Sequence, residues 1–357
     1  MHTRPLEVKR LSGVSDVPTI RDVAKEAGVS IATVSYVLNA SGVVSDPTRE
    51  RVLRAVDRLG YRPSVIAQGL QARSSRMIGY SWRPMPPDKF SPVLEKFVHS
   101  MGEAAARHGY HLLSFPRPEP ADEVAVYAEM MATGRVDGLV LSDTNIDDRR
   151  IRCLLDQGFP FVTFGRANPD WKFSWVDVDG TDGARQAVIH LFELGHQRIA
   201  CLAWPEDSLT GQYRLQGYIA AMAALGQSVD PAWVIRLEND YHQAYHAIQT
   251  LLALPPDRRP TAVFALSDLM ALGVINAGAD AGLKIGRELA VVGFDDAPIT
   301  GYLRPSLTSL RQPIAEVGEL LVTTLIDLVR SEDPQPVHVL LKPRLIVRDS
   351  TALSAQP

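Results

Sequence analysis

Residues 18–39 read PTIRDVAKEAGVSIATVSYVLN, and residues 44–64 read VSDPTRERVLRAVDRLGYRPS. Ile20, Val23, Ala24 and Ala27 recur at i, i+3, i+4 and i+7, one apolar stripe of a helix. Thr19 stands where an N-cap is needed, and Asp22 three residues later makes an imperfect capping box. Gly28 suits the left-handed position that ends a helix. One residue later Ser30 can cap a second helix whose inner stripe is Val34, Val37 and Leu38, with Val29 and Val34 spaced as a hydrophobic staple. Past the turn at Ser41-Gly42, Asp46 is expected to cap a third helix with Pro47 at its first position. Val52, Leu53, Val56 and Leu59 are expected to be its buried face, and Gly60 its end. Two short helices with almost nothing between them, closed by a third, form a helix-turn-helix unit.

So tight a turn forces the first two helices to cross steeply and leaves the second protruding. Its outward positions are Ile31, Ala32, Ser35, Tyr36 and Asn39. A helix meant for solvent would carry Lys and Glu there instead. Small, polar and aromatic groups in a basic surround suit the floor of a DNA major groove. The charge distribution agrees. Residues 1–76 hold 12 Lys and Arg against 7 Asp and Glu, while the rest of the chain holds 25 against 34. A basic head on an acidic body points to nucleic acid at one end and another task at the other.

The composition narrows the remaining classes. The 357 residues are 46% apolar and 22% charged, the balance of an ordinary water-soluble protein of two or three domains. No apolar run approaches the ~18–20 residues of a membrane span. MHTRPLEVKR at the start has no apolar core, so no secretion signal is expected and the expected compartment is the cytoplasm. Cys153 and Cys201, 48 positions apart, make neither a disulfide framework nor a CxxC motif. There is no G-x-G, no G-K-[ST], no H-E-x-x-H and no G-x-S-x-G, so dinucleotide, P-loop, zinc-protease and hydrolase chemistries all lack their motifs; no enzyme and no cofactor is expected. His190 and His196 stand at a helix-to-strand turn and read as capping or packing residues, so no metal is expected.

From Met77 onward the pattern alternates. Strands are expected at 77–82, 110–115, 138–142, 161–164, 198–203, 262–266 and 290–294, with amphipathic helices between them, such as 93–109 and 181–195. Strand–helix alternation with short apolar strands implies parallel sheets covered by helices on both faces. Seven strands over about 280 residues are too many for one comfortable sheet, so two sheets facing across a cleft are expected. Open sheets of this kind bind ligands at the carboxyl ends of their strands. Phe90, Arg166, Asp179, Arg214, Tyr241, Asp268 and Asp295 are the candidates there, and Trp82 ends the first strand. Carboxylates accept from vicinal hydroxyls, a guanidinium donates in a fork and a ring covers an apolar sugar face, so the set suits a polyhydroxylated ligand. A solute-binding protein of transport would share this body, but it needs a secretion signal and no basic head.

The two opening stretches, followed by AQGL at 67–70, resemble the head of LacI/GalR-type transcription regulators. RVDGLVL (135–141), ELGHQRIACLA (193–203), PTAVFALSDLMALGV (260–274), LAVVGFDD (289–296) and PSLTSLRQP (305–313) resemble that family's effector domain in the family's order. The resemblance runs from about Pro18 to Thr351. It implies an all-α helix-turn-helix head joined by a hinge helix to a two-lobed, periplasmic-binding-protein-like α/β body with parallel sheets. The implied domains are a flexible tail at 1–17, the head at 18–62, hinge at 63–76, body at 77–351 and tail at 352–357. Within the body, lobe 1 is expected over 77–195 and 311–338, and lobe 2 over 196–310 and 339–351.

By the same resemblance Ile31, Ala32 and Tyr36 face base edges, and Thr33, Ser35 and Asn39 touch phosphate or support those readers. Thr19 and Ser30, at the two N-caps, are counted with the DNA contacts. Leu70 is the wedge that enters the minor groove, with Ala67 and Gln68 along its floor; Gly69 stands where the family commonly has a polar residue and makes hinge folding more dependent on DNA. Arg214 and Asp295 match family positions that hold effector polar groups, and Phe164-Gly165-Arg166 is shared by many sugar-responsive members. The implied function is a repressor of a pseudo-palindromic operator, gated by a small effector, with a sugar expected and a nucleobase or other non-sugar co-repressor as the alternative. A homodimer is expected, because RDSTALSAQP at the end carries no heptad repeat for a tetramerising coiled coil.

Overall fold

The computed structural model of the chain describes residues 18–39, 41–62, 74–84, 92–117 and 123–352. The chain divides into two units, one ending at Ser75 and the other beginning at Arg76. The hinge candidates Ala67, Gln68 and Leu70, the cleft candidate Phe90, the expected tail at 1–17 and all but Ala352 of the expected tail at 352–357 lie outside the described residues.

In the first unit, Ile20–Ala27 (α1), Ile31–Leu38 (α2) and Asp46–Leu59 (α3) enclose a small core of Val23, Ala24, Ala27, Val34, Val37, Val52 and Ala55. Thr19 and Asp22 complete the capping box at α1: the Thr19 amide and hydroxyl both donate to Asp22 Oδ2, at 2.8 and 2.7 Å. Gly28 ends α1 at φ 63°, and Ser30 Oγ accepts from the Thr33 amide at 3.1 Å to start α2. Two expectations shift by one residue in α3. The cap is Ser45 and Asp46 is already helical. Leu53 is 46% exposed, because the inward stripe runs Val52, Ala55, Val56, Leu59, and a residue one step along a helix lies about 100° away from it.

The second unit begins with Met77–Trp82 (β1), Pro92–Arg107 (α4), His111–Pro116 (β2), Glu123–Ala132 (α5), Gly138–Leu141 (β3), Arg149–Asp156 (α6), Phe161–Phe164 (β4) and Ser174–Val178 (β5). It continues with Gly180–Glu193 (α7), Ile199–Ala203 (β6), Leu209–Ala224 (α8), Val234–Arg236 (β7), Tyr241–Leu252 (α9), Ala262–Ala265 (β8), Asp268–Asp280 (α10), Ala290–Asp295 (β9) and Thr308–Arg311 (β10). Ile314–Arg330 (α11), His338–Leu341 (β11), Arg344–Ile346 (β12) and Asp349–Ala352 (α12) follow. The strands form two six-stranded sheets, ordered β11-β5-β4-β3-β1-β2 and β12-β10-β9-β8-β6-β7. Every pairing is parallel except that of β12 with β10. Helices α4 and α11 cover one face of the first sheet, and α5 and α6 face the other. Helices α7 and α8 cover one face of the second sheet, with α9 and α10 on the opposite face.

The chain crosses between lobes after β5, after β10 and after β11. Two expected boundaries move accordingly. Helix α7, read with lobe 1, buries Ala184, Ala187, Val188 and Leu191 among Phe264, Val292 and Phe294 of lobe 2. Strand β11, assigned mostly to lobe 2, pairs with β5 in lobe 1. An amphipathic stripe fixes that a helix has an inner face, not which of two equally apolar sheets receives it. Strands β5, β7, β10, β11 and β12 were not expected from the sequence. They are short, and β5 (SWVDV) and β11 (HVLL) carry a polar group within the apolar run.

Candidate functional site

Two regions carry the candidate residues, one in each unit. On α2 of the head, Val34 and Val37 face inward while Ile31 and Tyr36 are 45% and 51% exposed. Ala32 and Asn39 are exposed as well, and Thr33 and Ser35 are half-buried. The outward face is therefore the apolar–aromatic–amide surface expected from spacing. Thr19 and Ser30 are committed differently, since their hydroxyls close the caps of α1 and α2. Arg21 on α1 and Arg49, Arg51 and Arg54 on α3 are exposed, and Arg58 pairs with Glu26 at 2.7 Å.

In the body, strand ends bring several polar side chains together. Arg214, in the second turn of α8, is only 4% exposed. Its Nη1 donates to the Leu266 carbonyl at 2.5 Å, and its guanidinium stacks 3.6 Å from the Phe294 ring and 4.8 Å from the Trp204 ring. Its buried Nε has no hydrogen-bond partner among the described residues. A buried charged donor without an acceptor is costly, and such groups are found where something else completes them. Burial weakens Arg214's hold on its proton; Asp295, Asp177 and Asp268 oppose that loss electrostatically.

Asp295 ends β9 at φ 120°, and Asp296 follows at φ 52°. Strained non-glycine backbone of this kind persists where the surroundings over-determine it, often at ligand sites. The two carboxylates have separate fates. Asp296 is fixed by Arg311 at 2.5 Å and Arg348 at 2.7 Å, which hold it below the usual carboxylate range. Asp295 accepts from Gln312 Nε2 at 2.6 Å, and burial pushes its carboxyl up to about 6 against the pull of Arg214. Asp268 is a fastener. Its oxygens accept from Ser309 Oγ at 2.5 Å and the Ala297 amide at 2.8 Å, tying the first turn of α10 to the segment after β9. Burial and the neighbouring Asp295 raise its carboxyl well above the ordinary range. A Cβ at Gly293 would lie 2.3 Å from Asp268 Oδ1, so glycine is what lets this carboxylate reach Ser309.

Arg166, just past β4, donates from Nε to Asp177 Oδ2 at 2.7 Å and stacks 3.6 Å from the Tyr213 ring. Asp179 accepts from the Asp182 amide at 2.9 Å as the N-cap of α7. Tyr241 is drawn away: its hydroxyl accepts from Asn276 Nδ2 at 2.8 Å, two turns into α10. The loop before it contributes Asn239 instead, whose Oδ1 accepts from Ser267 Oγ at 2.6 Å at the cap of α10. On the lobe 1 side, Tyr80 and Ser142 share a hydrogen bond of 3.1 Å, and burial pushes the phenol up to about 12. His190 and His196 bond Thr351 and Thr261.

The site thus gathers Arg166, Arg214, Asp268 and Asp295, and adds Asp177, Trp204, Tyr213, Asn239 and Gln312, which the sequence reading missed. Trp204 directly follows β6 much as Trp82 ends β1, so the strand-end rule applied to one was the available signal for the other. Among the described residues no helix is long and apolar enough to cross a membrane.

A sequence profile described as "Bacterial regulatory proteins, lacI family" matches residues 19–64, and one described as "Periplasmic binding protein-like domain" matches 188–351. The chain is 33% identical over 339 residues to the HTH-type transcriptional repressor CytR of Escherichia coli K12, covering 93% of this chain and 96% of that protein. The structure of the Lac repressor dimer bound to operator and the anti-inducer ONPF aligns with a TM-score of 0.81 at 26% identity, covering 94% of this chain and 99% of that one. The transcriptional regulator CelR–cellobiose complex aligns with a TM-score of 0.71 at 34% identity, covering 93% and 99%.

Proposed function

The chain belongs to the LacI family of DNA-binding transcriptional regulators and is not an enzyme, and from that premise we propose that it is a cytoplasmic, homodimeric repressor whose grip on a pseudo-palindromic operator is set by a sugar bound at Arg214 and Asp295. The observation that carries the effector reading is the buried Arg214 Nε without a partner, electrostatically coupled to the half-buried Asp295 carboxylate. A guanidinium donor and a carboxylate acceptor match the two hydrogen-bonding roles of a hydroxyl, and the Trp204 ring beside them suits a sugar's apolar face. That a similar protein was solved with cellobiose supports the same chemistry.

On the DNA side, Ile31, Ala32 and Tyr36 are proposed to read base edges, with Ile31 and Ala32 restricted to apolar contact such as thymine methyls. Thr33, Ser35 and Asn39 support them or touch phosphate. Leu70 is proposed as the minor-groove wedge on the strength of the AQGL motif, and it works only when two hinges meet at the operator centre. An effector that prefers one lobe arrangement changes the spacing of those hinges. Coupling is reciprocal, and a tenfold change in operator affinity needs ~1.4 kcal/mol.

The test has two arms on the full chain. Selection from random duplexes should recover a palindrome, and Tyr36→Ala should change which base pairs are preferred at its positions; equal loss on every duplex would place Tyr36 on phosphate. A thermal-shift screen should show stabilisation by mono- or disaccharides ahead of sugar phosphates and nucleobases. Stabilisation by a nucleobase alone would replace the sugar.

The raised Asp295 carboxyl makes this binding pH-dependent. Above about 6 it is an acceptor for ligand hydroxyls, and below that it protonates. Sugar affinity should therefore fall by up to about tenfold per pH unit as the pH drops below about 6. The fold itself responds with the opposite sign. A carboxyl whose folded-state pKa is raised contributes stability at low pH, and that contribution is lost as pH rises from the unfolded value through about 6. Calorimetric titration of wild type and Asp295→Asn between pH 5 and 8 checks the first, the variant binding weakly with a flat profile, and melting temperatures over the same range check the second.

A further inference from the structure

We propose that Arg166, Asp177 and Tyr213 form a latch between the two lobes, so that Arg166 governs cleft opening and does not itself hold the ligand. This rests on the effector-gated reading above and assigns the regulation of that same cleft.

Arg166 and Asp177 belong to lobe 1, on or just past the adjacent strands β4 and β5. Tyr213 belongs to α8 of lobe 2. The planar guanidinium uses one edge and one face. Its Nε donates to Asp177 Oδ2 at 2.7 Å, which fixes the plane, and Cζ lies 3.6 Å from the centroid of the Tyr213 ring. Of the cation–π contacts between described residues, only this one joins the two lobes. A guanidinium held this way against a half-buried ring is worth more than at an open surface, because less water competes for it.

Both ends are anchored in their own lobes. The Arg166 carbonyl accepts from Thr144 Oγ1 at 2.7 Å, which ties its loop to the segment after β3. The Tyr213 carbonyl accepts from Thr181 Oγ1 at 3.1 Å, in the first turn of α7. Gly217, one turn further along α8, packs directly on the Thr181 backbone, so this part of α8 moves with the start of α7 and the first crossover. An interlobe contact with no slack at either end is broken when the lobes separate and reformed when they close. Tyr213 is also the neighbour of Arg214. Loosening the latch therefore shifts the ligand arginine relative to Asp177, the lobe 1 carboxylate it senses electrostatically. The ligand holds Arg214 and Asp295, and the latch decides how often those groups meet lobe 1.

The test uses the full chain and Arg166→Gln, Tyr213→Leu, the double variant and Tyr213→Phe. Without any ligand, hydrogen exchange of the 142–148 and 209–215 segments should accelerate about fivefold or more in the first three variants and stay near wild type in Tyr213→Phe, which keeps the ring. With the sugar found by the thermal-shift screen, each single variant should bind about tenfold more weakly, and the double variant no worse than either. Exchange unchanged in Tyr213→Leu overturns the latch. So does a double variant whose losses add, with Arg166→Gln impaired and Tyr213→Leu normal, since that pattern describes an arginine touching the ligand. If no small molecule stabilises wild type, the effector reading fails while the exchange arm still decides the latch.

Discussion

Replacing Arg214 with methionine abolishes the effector response: the sugar Kd rises by at least about 100-fold while operator affinity without effector stays within about twofold. Methionine nearly fills the space of the aliphatic stem, although the guanidinium's stacking on Trp204 and Phe294 is lost. The fork disappears with it. Hydrogen bonds from a charged donor are worth about 1.5–3 kcal/mol each, and two of them account for a 100-fold loss. The substitution also removes the cation that restrains Asp177, Asp268 and Asp295. The Asp295 carboxyl, already raised to about 6 with Arg214 present, climbs further, so whatever weak binding remains fades at higher pH than in wild type. Arg214→Lys keeps the charge but supplies neither Nε nor a planar fork, and belongs with the methionine variant. Calorimetry at pH 7.5 and operator titration by fluorescence anisotropy measure the two halves. A methionine variant that still responds at wild-type sugar concentrations removes Arg214 from the site.

The head was legible because its boundaries are local. Thr19, Asp22, Gly28 and Ser30 set the ends of α1 and α2 with contacts no more than four residues away, and the structure keeps each of them there. The cleft depends on contacts across long separations. Arg166 finds Tyr213 on a helix of the other lobe, and nothing in GQYRLQGY marks its tyrosine as facing an arginine 47 positions earlier. Asp177 is hidden for another reason. In SWVDV it interrupts an apolar run and argues against a strand, although β5 pairs on both sides and carries the carboxylate to Arg166. Tyr241 turns its hydroxyl to Asn276 while Asn239 stands beside Ser267, and a local signal for that arrangement was present. Asp240 accepts from the amides of His242 and Gln243, which starts α9 at Tyr241 and leaves Asn239 in the loop beside Ser267. A cap read at Asp240 would have placed Asn239 among the loop residues to consider for the cleft.

Gly217→Ala and Gly102→Ala should move stability in opposite directions, although both replace glycine inside a helix. On propensity alone each substitution favours the folded state by about 0.5–1 kcal/mol, since alanine restricts the unfolded chain and suits a helix. Gly102, on α4, has no heavy atom within 4 Å of where a Cβ would stand, so it should show that gain as a small rise in Tm. At Gly217 the same methyl would lie 2.3 Å from the Thr181 carbonyl oxygen and 2.8 Å from its Cα. Those are backbone atoms in the first turn of α7. The turn is capped by Asp179, whose own amide donates to the Leu341 carbonyl at 2.8 Å, so it has little freedom to yield. Helix α8 must shift instead, at an overpacking cost of about 3 kcal/mol that leaves a net loss of about 2 kcal/mol after propensity and lowers the body's Tm by roughly 4–10 °C. The shift also carries Tyr213 and Arg214, a turn away on the same helix, so the sugar should bind more weakly even at temperatures where the variant is fully folded. Calorimetric melting of both variants with one sugar titration at 20 °C measures the contrast. Equal changes in Tm would mean that α8 rides on α7 loosely enough to absorb a methyl, and the rigid anchoring of Tyr213 would go with it.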